Sequence, residues 1–168
     1  MIQPKVINKF NVYGDGTKYF GKGDEVTLPA IESVLATFNA GLGEVEMPVM
    51  GMLQKMEIEI PFVTLCAEGI SAFAANRSVN LTLRASQQGE AADGSIGYQP
   101  IKAVVKGPCK KFDPGKIKAG EGTGAKATIA VNYYSIDIDG TNVIEIDVLN
   151  DVYKVNGEDI MKDILANC

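Results

Sequence analysis

Four carboxylates close together in the chain, Asp137, Asp139, Glu145 and Asp147, are the residues best suited by type to do chemistry. Paired carboxylates can divide acid and base roles or hold a hard cation. Their surroundings argue against both uses. The chain has no histidine, so the commonest general base and metal ligand is missing. The acids alternate with Ile136, Ile138, Ile144 and Ile146, the two-residue period of a strand with one wet face. Asp137-Ile138-Asp139-Gly140 opens like a calcium loop, but its glycine stands fourth rather than sixth. Residues 120–128 (GEGTGAKAT) have the glycines of a phosphate-binding loop. That loop needs Gly-Lys-Ser/Thr in succession opening a helix, and here Ala125 and Ala127 interrupt it. Asn76-Arg77-Ser78 and Asn80-Leu81-Thr82 fit a glycosylation pattern, yet the start MIQPKVINKF lacks the apolar stretch of a secretion signal. Cys66, Cys109 and Cys168 are an odd number without metal-like spacing. They fit a reducing cytosol, with at most a reactive thiol at Cys168. No enzyme, cofactor or metal site is expected.

The elements that position the acids are two strands of a hairpin. Closing it on three residues, Gly140-Thr141-Asn142, sets Ile138 against Ile144, Ile136 against Ile146 and Tyr134 against Val148. One face is then apolar throughout. The other places Asp137 opposite Glu145 and Ser135 opposite Asp147, and like charges so paired cost roughly 0.2–1 kcal/mol each. At Tyr133-Tyr134 and Val148-Leu149 the apolar parity switches, which predicts a bulge or strong twist where the ribbon changes packing partner. Below that level the same register sets Ile129 against Tyr153 and Val131 against Asp151.

Strand signals dominate elsewhere. Residues 56–60 and 79–84 alternate, and 101–106 is a shorter candidate. Residues 89–97 and 120–124 read as loops. A helix is expected over 64–76 with Leu65, Ile70, Phe73 and Ala74 on one face, weakened by Gly69. A second follows Val155-Asn156-Gly157, with Glu158 and Asp159 at its start and an apolar stripe of Ile160, Met161, Ile164 and Leu165. Between 28 and 53 the local signal is equivocal. Ile31, Val34, Leu35 and Phe38 fall at helical spacing after Pro29, whereas Val34, Thr37 and Phe38 are also acceptable in strands.

Composition agrees with a strand-built globular protein. The chain has 168 residues, 46% hydrophobic and 22% charged. That length favours one domain and allows roughly 70% of the unfolded surface to be buried. No run of about 18 apolar residues could span a membrane as a helix. The net charge of −5 makes the chain a poor holder of nucleic acid.

Several strings follow one another along the chain: Lys9-Phe10-Asn11-Val12-Tyr13-Gly14-Asp15-Gly16, Val26-Thr27-Leu28-Pro29, Gly41-Leu42-Gly43 and residues 112–121 (FDPGKIKAGE). Tyr133-Tyr134, Ile144-Glu145-Ile146-Asp147 and Val155-Asn156-Gly157 complete the series. In order and spacing the chain resembles the major tail tube proteins of contractile phage tails and of related contractile bacteriocins. The resemblance implies hexameric rings that stack into a hollow tube inside a sheath. It also implies a long β-hairpin at 28–53 with Gly41-Leu42-Gly43 near its tip, and this is the reading adopted here for that segment, despite Pro48 in the returning arm. Phe38, Gly41, Leu42, Gly43, Met47, Met50 and Met52 are then the inter-subunit hairpin, where flexible thioethers suit an interface that re-packs.

The expected fold is mainly β: two packed antiparallel sheets forming a small barrel or sandwich, one or two short helices and a protruding hairpin. Residues 1–168 would form a single tube domain. Expected partners are further copies of the chain, the tail sheath protein, baseplate and terminator proteins, a tape-measure protein within the tube, and DNA only in transit. Assembly would occur in the bacterial host cytoplasm, and the product would be a virion tail or an extracellular contractile particle. The strip Asp137, Asp139, Glu145 and Asp147 would face either the sheath or the lumen, unless it is only solvated. A different class of function, a soluble β-sandwich module binding carbohydrate or a small ligand, would require a concave aromatic site. With no Trp and 7% aromatic residues the chain is poorly equipped for it.

Overall fold

The computed structural model describes residues 3–15, 18–19, 25–62, 65–74 and 77–168. The strands are β1 (Lys5–Gly14), β2 (Lys18–Tyr19), β3 (Ser33–Ala40), β4 (Gly43–Leu53), β5 (Met56–Phe62), β6 (Ser78–Glu90), β7 (Ile96–Asp113), β8 (Ala125–Val131), β9 (Tyr133–Ile138), β10 (Thr141–Asp147), β11 (Val152–Val155) and β12 (Glu158–Asp159). Helix α1 covers Ala67–Phe73 and α2 covers Lys162–Ala166. Gly16, Thr64 and Asn76 of the sequence expectations lie outside the described residues.

Ten strands form one antiparallel sheet, in the order β12-β11-β10-β9-β7-β6-β1-β2, with β8 joining β7 to β5. The remaining two, β3 and β4, make a sheet of their own. Among the described residues no closed barrel forms, because β2 and β12 end the path unpaired with each other. That corrects the barrel part of the expectation.

The 18-residue strand β7 holds the two layers together. Residues 101–106 of it pair with β9, whereas Cys109, Lys111, Phe112 and Asp113 pair with β8. Gly107 stands between these stretches, and a Cβ there would lie 1.7 Å from the Ala130 carbonyl oxygen. Only a residue without a side chain lets β7 pass that close to the backbone leaving β8. The inward residues of β5 (Met56, Ile58, Ile60, Phe62) and β8 (Ala125, Ala127, Ile129, Val131) then meet those of β6 and β7 (Val79, Leu81, Leu83, Ala103, Val105) in one core. Val12, Phe73, Cys109, Tyr134 and Ile146 complete it.

The chain changes packing partner at the height where the apolar parity switches. β8 pairs with β5, and after a bend at Asn132 β9 pairs with β10. The expected pairs Ile129–Tyr153 and Val131–Asp151 do not form. Ile129 lies opposite Ile58 and Cys109, and Tyr153 opposite Ile146.

The expected 64–76 helix is shorter and turned. Phe73 is fully buried against Phe62 with ring centroids 5.3 Å apart, and Gly69 and Ala72 share that face, while Leu65 and Ile70 are exposed. Gly69 is buried on that face, and a Cβ there would lie 3.2 Å from Sγ of Cys66, the residue before the helix. Glu158 and Asp159 form a short strand instead of the first turn of α2, and the Asp159 carboxylate accepts a hydrogen bond from the Met161 N–H at 3.0 Å.

Candidate assembly surface

Residues 33–53 form a hairpin and not a helix, because alternation wins once both arms are considered. Cross-strand partners share a face, so the pairs Ala36–Met47, Phe38–Val45 and Ala40–Gly43 make one side apolar. Thr37–Glu46 and Asn39–Glu44 make the other side polar. The sequence signal was Glu44-Val45-Glu46-Met47, a clean alternation in the returning arm. The apolar side is uncovered: Phe38 is 55% exposed, Met47 56%, and Val45 and the tip residue Leu42 are also exposed.

The turn Gly41-Leu42 closes on a hydrogen-bonded pair, Ala40–Gly43, and bonded pairs alternate from there. Leu35–Pro48 is therefore an outward-facing pair. The N–H that Pro48 lacks would have pointed away from β3, so the proline fits a strand edge.

At the hairpin base β4 has three more residues than β3 between Leu53 and Pro48, and Met50 and Met52 sit exposed in that bulged stretch. Gly51 lies between them at φ +82°, where a Cβ would come within 2.7 Å of Met161 Sδ. The base of the hairpin therefore rests on the C-terminal segment.

The acidic strip is positioned by β9 and β10, but in a different register from the expected one. Closure uses two residues, Asp139 (φ 53°) and Gly140 (φ 76°), so Thr141 lies opposite Ile138. Positive φ at both positions gives the turn whose twist suits a hairpin. A bulge at Val143 then restores the parity, and Ile144 faces Ile136 while Ile146 faces Tyr134. The apolar face is as expected, with each partner displaced by two residues.

This removes the like-charge pairs. Asp137 lies between Asn142 and Lys102 and accepts a 2.8 Å hydrogen bond from Asn142 Nδ2. Glu145 lies between Ser135 and Lys154. Asp147 faces Tyr133 and accepts from the N–H groups of Leu149 (3.1 Å) and Asn150 (3.3 Å), which closes the turn after β10. Asp139 is the turn residue. Asp137 and Asp147 thus accept structural hydrogen bonds, Glu145 lies in register with Lys154, and the strip shares its face with Lys102, Lys106 and Lys154, so the four carboxylates are not gathered for catalysis. Residues 120–128 end a loop and enter β8, so the phosphate-loop reading fails there too.

A second ribbon was missed from sequence. β6 and β7 continue to Glu90 and Ile96, so the expected 89–97 loop shrinks to residues 91–95. Its signal was Asp93-Gly94, where the Asp93 carboxylate accepts from the Ser95 N–H at 3.0 Å. Val6, Gln88 and Tyr98 align across β1, β6 and β7, and Val6, Tyr98 and Ile96 are exposed. Gln87 Nε2 donates to Gln99 Oε1 at 2.7 Å, and Lys5 Nζ donates to the same oxygen at 2.6 Å.

The thiols divide by burial. Burial raises the pKa of Cys109, whereas Cys66 caps α1 through a 3.4 Å contact from the Gly69 N–H and Cys168 is exposed.

The surface features are thus two ribbons with bare apolar residues and open backbone edges, the form of a protein that pairs with others. A family model described as phage tail tube protein FII matches residues 4–167. The tail tube protein of Escherichia phage P2 is 25% identical over 178 residues, covering 99% of this chain and 98% of that protein. The major tail tube protein of Serratia phage KSP20 is 27% identical over 169 residues, covering 99% and 96%. Since the match runs almost from end to end, the chain belongs to the phage tail tube protein FII family, structural proteins of the virion tail.

Proposed function

We propose that this chain is the repeating subunit of the inner tube of a contractile tail, closing into hexameric rings that stack as a hollow conduit. Residues 1–168 act as one tube domain. Sheath contraction drives the conduit through the target envelope. The observation that carries this reading is the β3–β4 hairpin: an isolated two-stranded sheet with a bare apolar face. Such a ribbon is marginal alone and gains stability by lying against a neighbour's sheet. Phe38, Leu42, Val45 and Met47 supply the contact, with Met50 and Met52 adapting it at the base. Because hairpin and receiving sheet are different patches, the contact is head-to-tail and closes by rotation into a ring.

The partners follow from that assembly. The tape-measure protein and, in a phage, DNA in transit occupy the channel. Baseplate and terminator proteins cap the ends, and the sheath wraps the outside. The face bearing Asp137 and Glu145 with Lys102 and Lys154 is the sheath contact in this reading, because it is the side of β9 and β10 opposite the core. Interleaved opposite charges give register with little binding energy, as a sliding contact requires. Assembly takes place in the host cytoplasm.

Deleting residues 41–44 tests the hairpin's role. The variant is expected to keep its melting temperature and to form no tubes by electron microscopy. Normal tubes from it would refute the role assigned to the hairpin.

A further inference from the structure

We propose that the loop joining β7 to β8 is a plug that inserts Ile117 into a cavity beside the hairpin base of a neighbouring copy of this chain. The inference rests on the tube reading, which supplies the neighbouring copy, and adds to it a second pair of matching surfaces.

The plug is pre-shaped. Lys116 N–H donates to the Thr123 carbonyl at 2.9 Å, Gly115 N–H to the Asp113 carboxylate at 2.9 Å, and Glu121 N–H to the Lys118 carbonyl at 3.3 Å. Gly115, at φ +80°, lets the two arms touch: a Cβ there would lie 1.9 Å from the Thr123 carbonyl oxygen. The loop so pinned holds Ile117 98% exposed. At that exposure Ile117 packs against nothing in its own protomer, which leaves the side chain available to a partner. Lys116 and Lys118 flank it and share one carboxylate, Glu121, at 3.9 and 2.7 Å. Residues 110–126 carry five lysines against two acids on a chain of net charge −5.

The socket has the opposite character. A cavity of about 220 Å³ lies between the hairpin base and β10–β11, with Leu53, Ile146, Tyr153 and Met161 among its apolar walls and Asp147 and Asp151 also lining it. At about 30 Å³ per water-sized portion, it has room for the four side-chain carbons of isoleucine. Residues 137–163 carry eight acids against two lysines, so the socket's surroundings attract the plug's lysines. Plug and socket are distinct patches, and a copy using both binds one neighbour on each side.

The test uses the full chain with the exposed thiols removed by Cys66→Ser and Cys168→Ser. On that background Ile117→Cys is combined with Val148→Cys, since Val148 lines the cavity and is half exposed. Assembled tubes are expected to give a ladder of disulfide-linked oligomers on mild oxidation, and neither single substitution should. Separately, Ile117→Asp is expected to leave melting unchanged and to raise the concentration needed for assembly at least tenfold. Wild-type-like assembly by I117D with no ladder from the pair would overturn the plug while leaving the tube reading intact. That result would instead leave Ile117 free to meet the sheath. If the unmodified chain makes neither rings nor tubes, the tube reading and the plug fall together.

Discussion

Gly107 and Gly97 lie in the same strand, β7, and the same substitution at each should have very different costs. At Gly107 a Cβ would meet the Ala130 carbonyl oxygen at 1.7 Å and its carbon at 2.9 Å. Both are backbone atoms, so β7 must move from the backbone leaving β8 by more than an ångström. Forcing extra volume into a packed site costs about 1–3 kcal/mol. The shift also strains the 2.9 Å hydrogen bond from the Asn132 N–H to the Lys106 carbonyl, and an unmade buried bond adds about 1–3 kcal/mol. Gly107→Ala should therefore lose about 2–6 kcal/mol. At about 2–4 °C per kcal/mol for a chain of this size, melting should fall by roughly 10 °C. Gly97 has nothing within 4 Å of an added Cβ, so Gly97→Ala should change stability by less than about 0.5 kcal/mol. Urea unfolding of both variants under conditions that keep the chain unassembled measures the contrast. A loss under about 1 kcal/mol at Gly107, or equal losses at the two sites, would refute the close crossing on which the two layers depend.

Two further outcomes follow from β9. Ile136 packs against the core and Asp137 faces the other way, so Ile136→Asp should cost on the order of 2–5 kcal/mol; equal melting losses from Ile136→Asp and Asp137→Ile would mean the faces are misassigned. Burial pushes the Tyr134 phenol up to about 12, whereas in the unfolded chain it ionises near 10. The unfolded state therefore loses its proton first, and the Tyr134 contribution, full below about pH 10, is lost as pH rises toward 12. Tyr134→Phe has no such loss. The stability gap between wild type and Y134F should narrow by about 1 kcal/mol from pH 9 to 11, and a constant gap would refute the shift.

Much of the core was legible because strands with one buried face write it in alternate residues. Met56, Ile58 and Ile60, and Val79, Leu81 and Leu83, are buried as their spacing requires. The faces of β9 and β10 were equally legible, since parity survives a displacement of two residues. The partner of each residue was not, because one bulge at Val143 and a turn on Asp139-Gly140 together displace the pairing without changing the faces. The hairpin at 33–53 was misleading in its first arm, where helical spacing and strand alternation coexist, and clear in its second. The long β6–β7 ribbon was hidden because its end buries nothing, so it leaves no hydrophobic pattern. Open surfaces such as the Ile117 loop and the hairpin face are visible only when the fold shows that nothing within the protomer covers them.

The central claim, that this chain builds a tube, is tested most directly by electron microscopy of the purified protein concentrated without other tail components. The account predicts rings with six-fold symmetry and stacks of them with a continuous central channel. A featureless monomer at every concentration, or an assembly that closes without a channel, would contradict it.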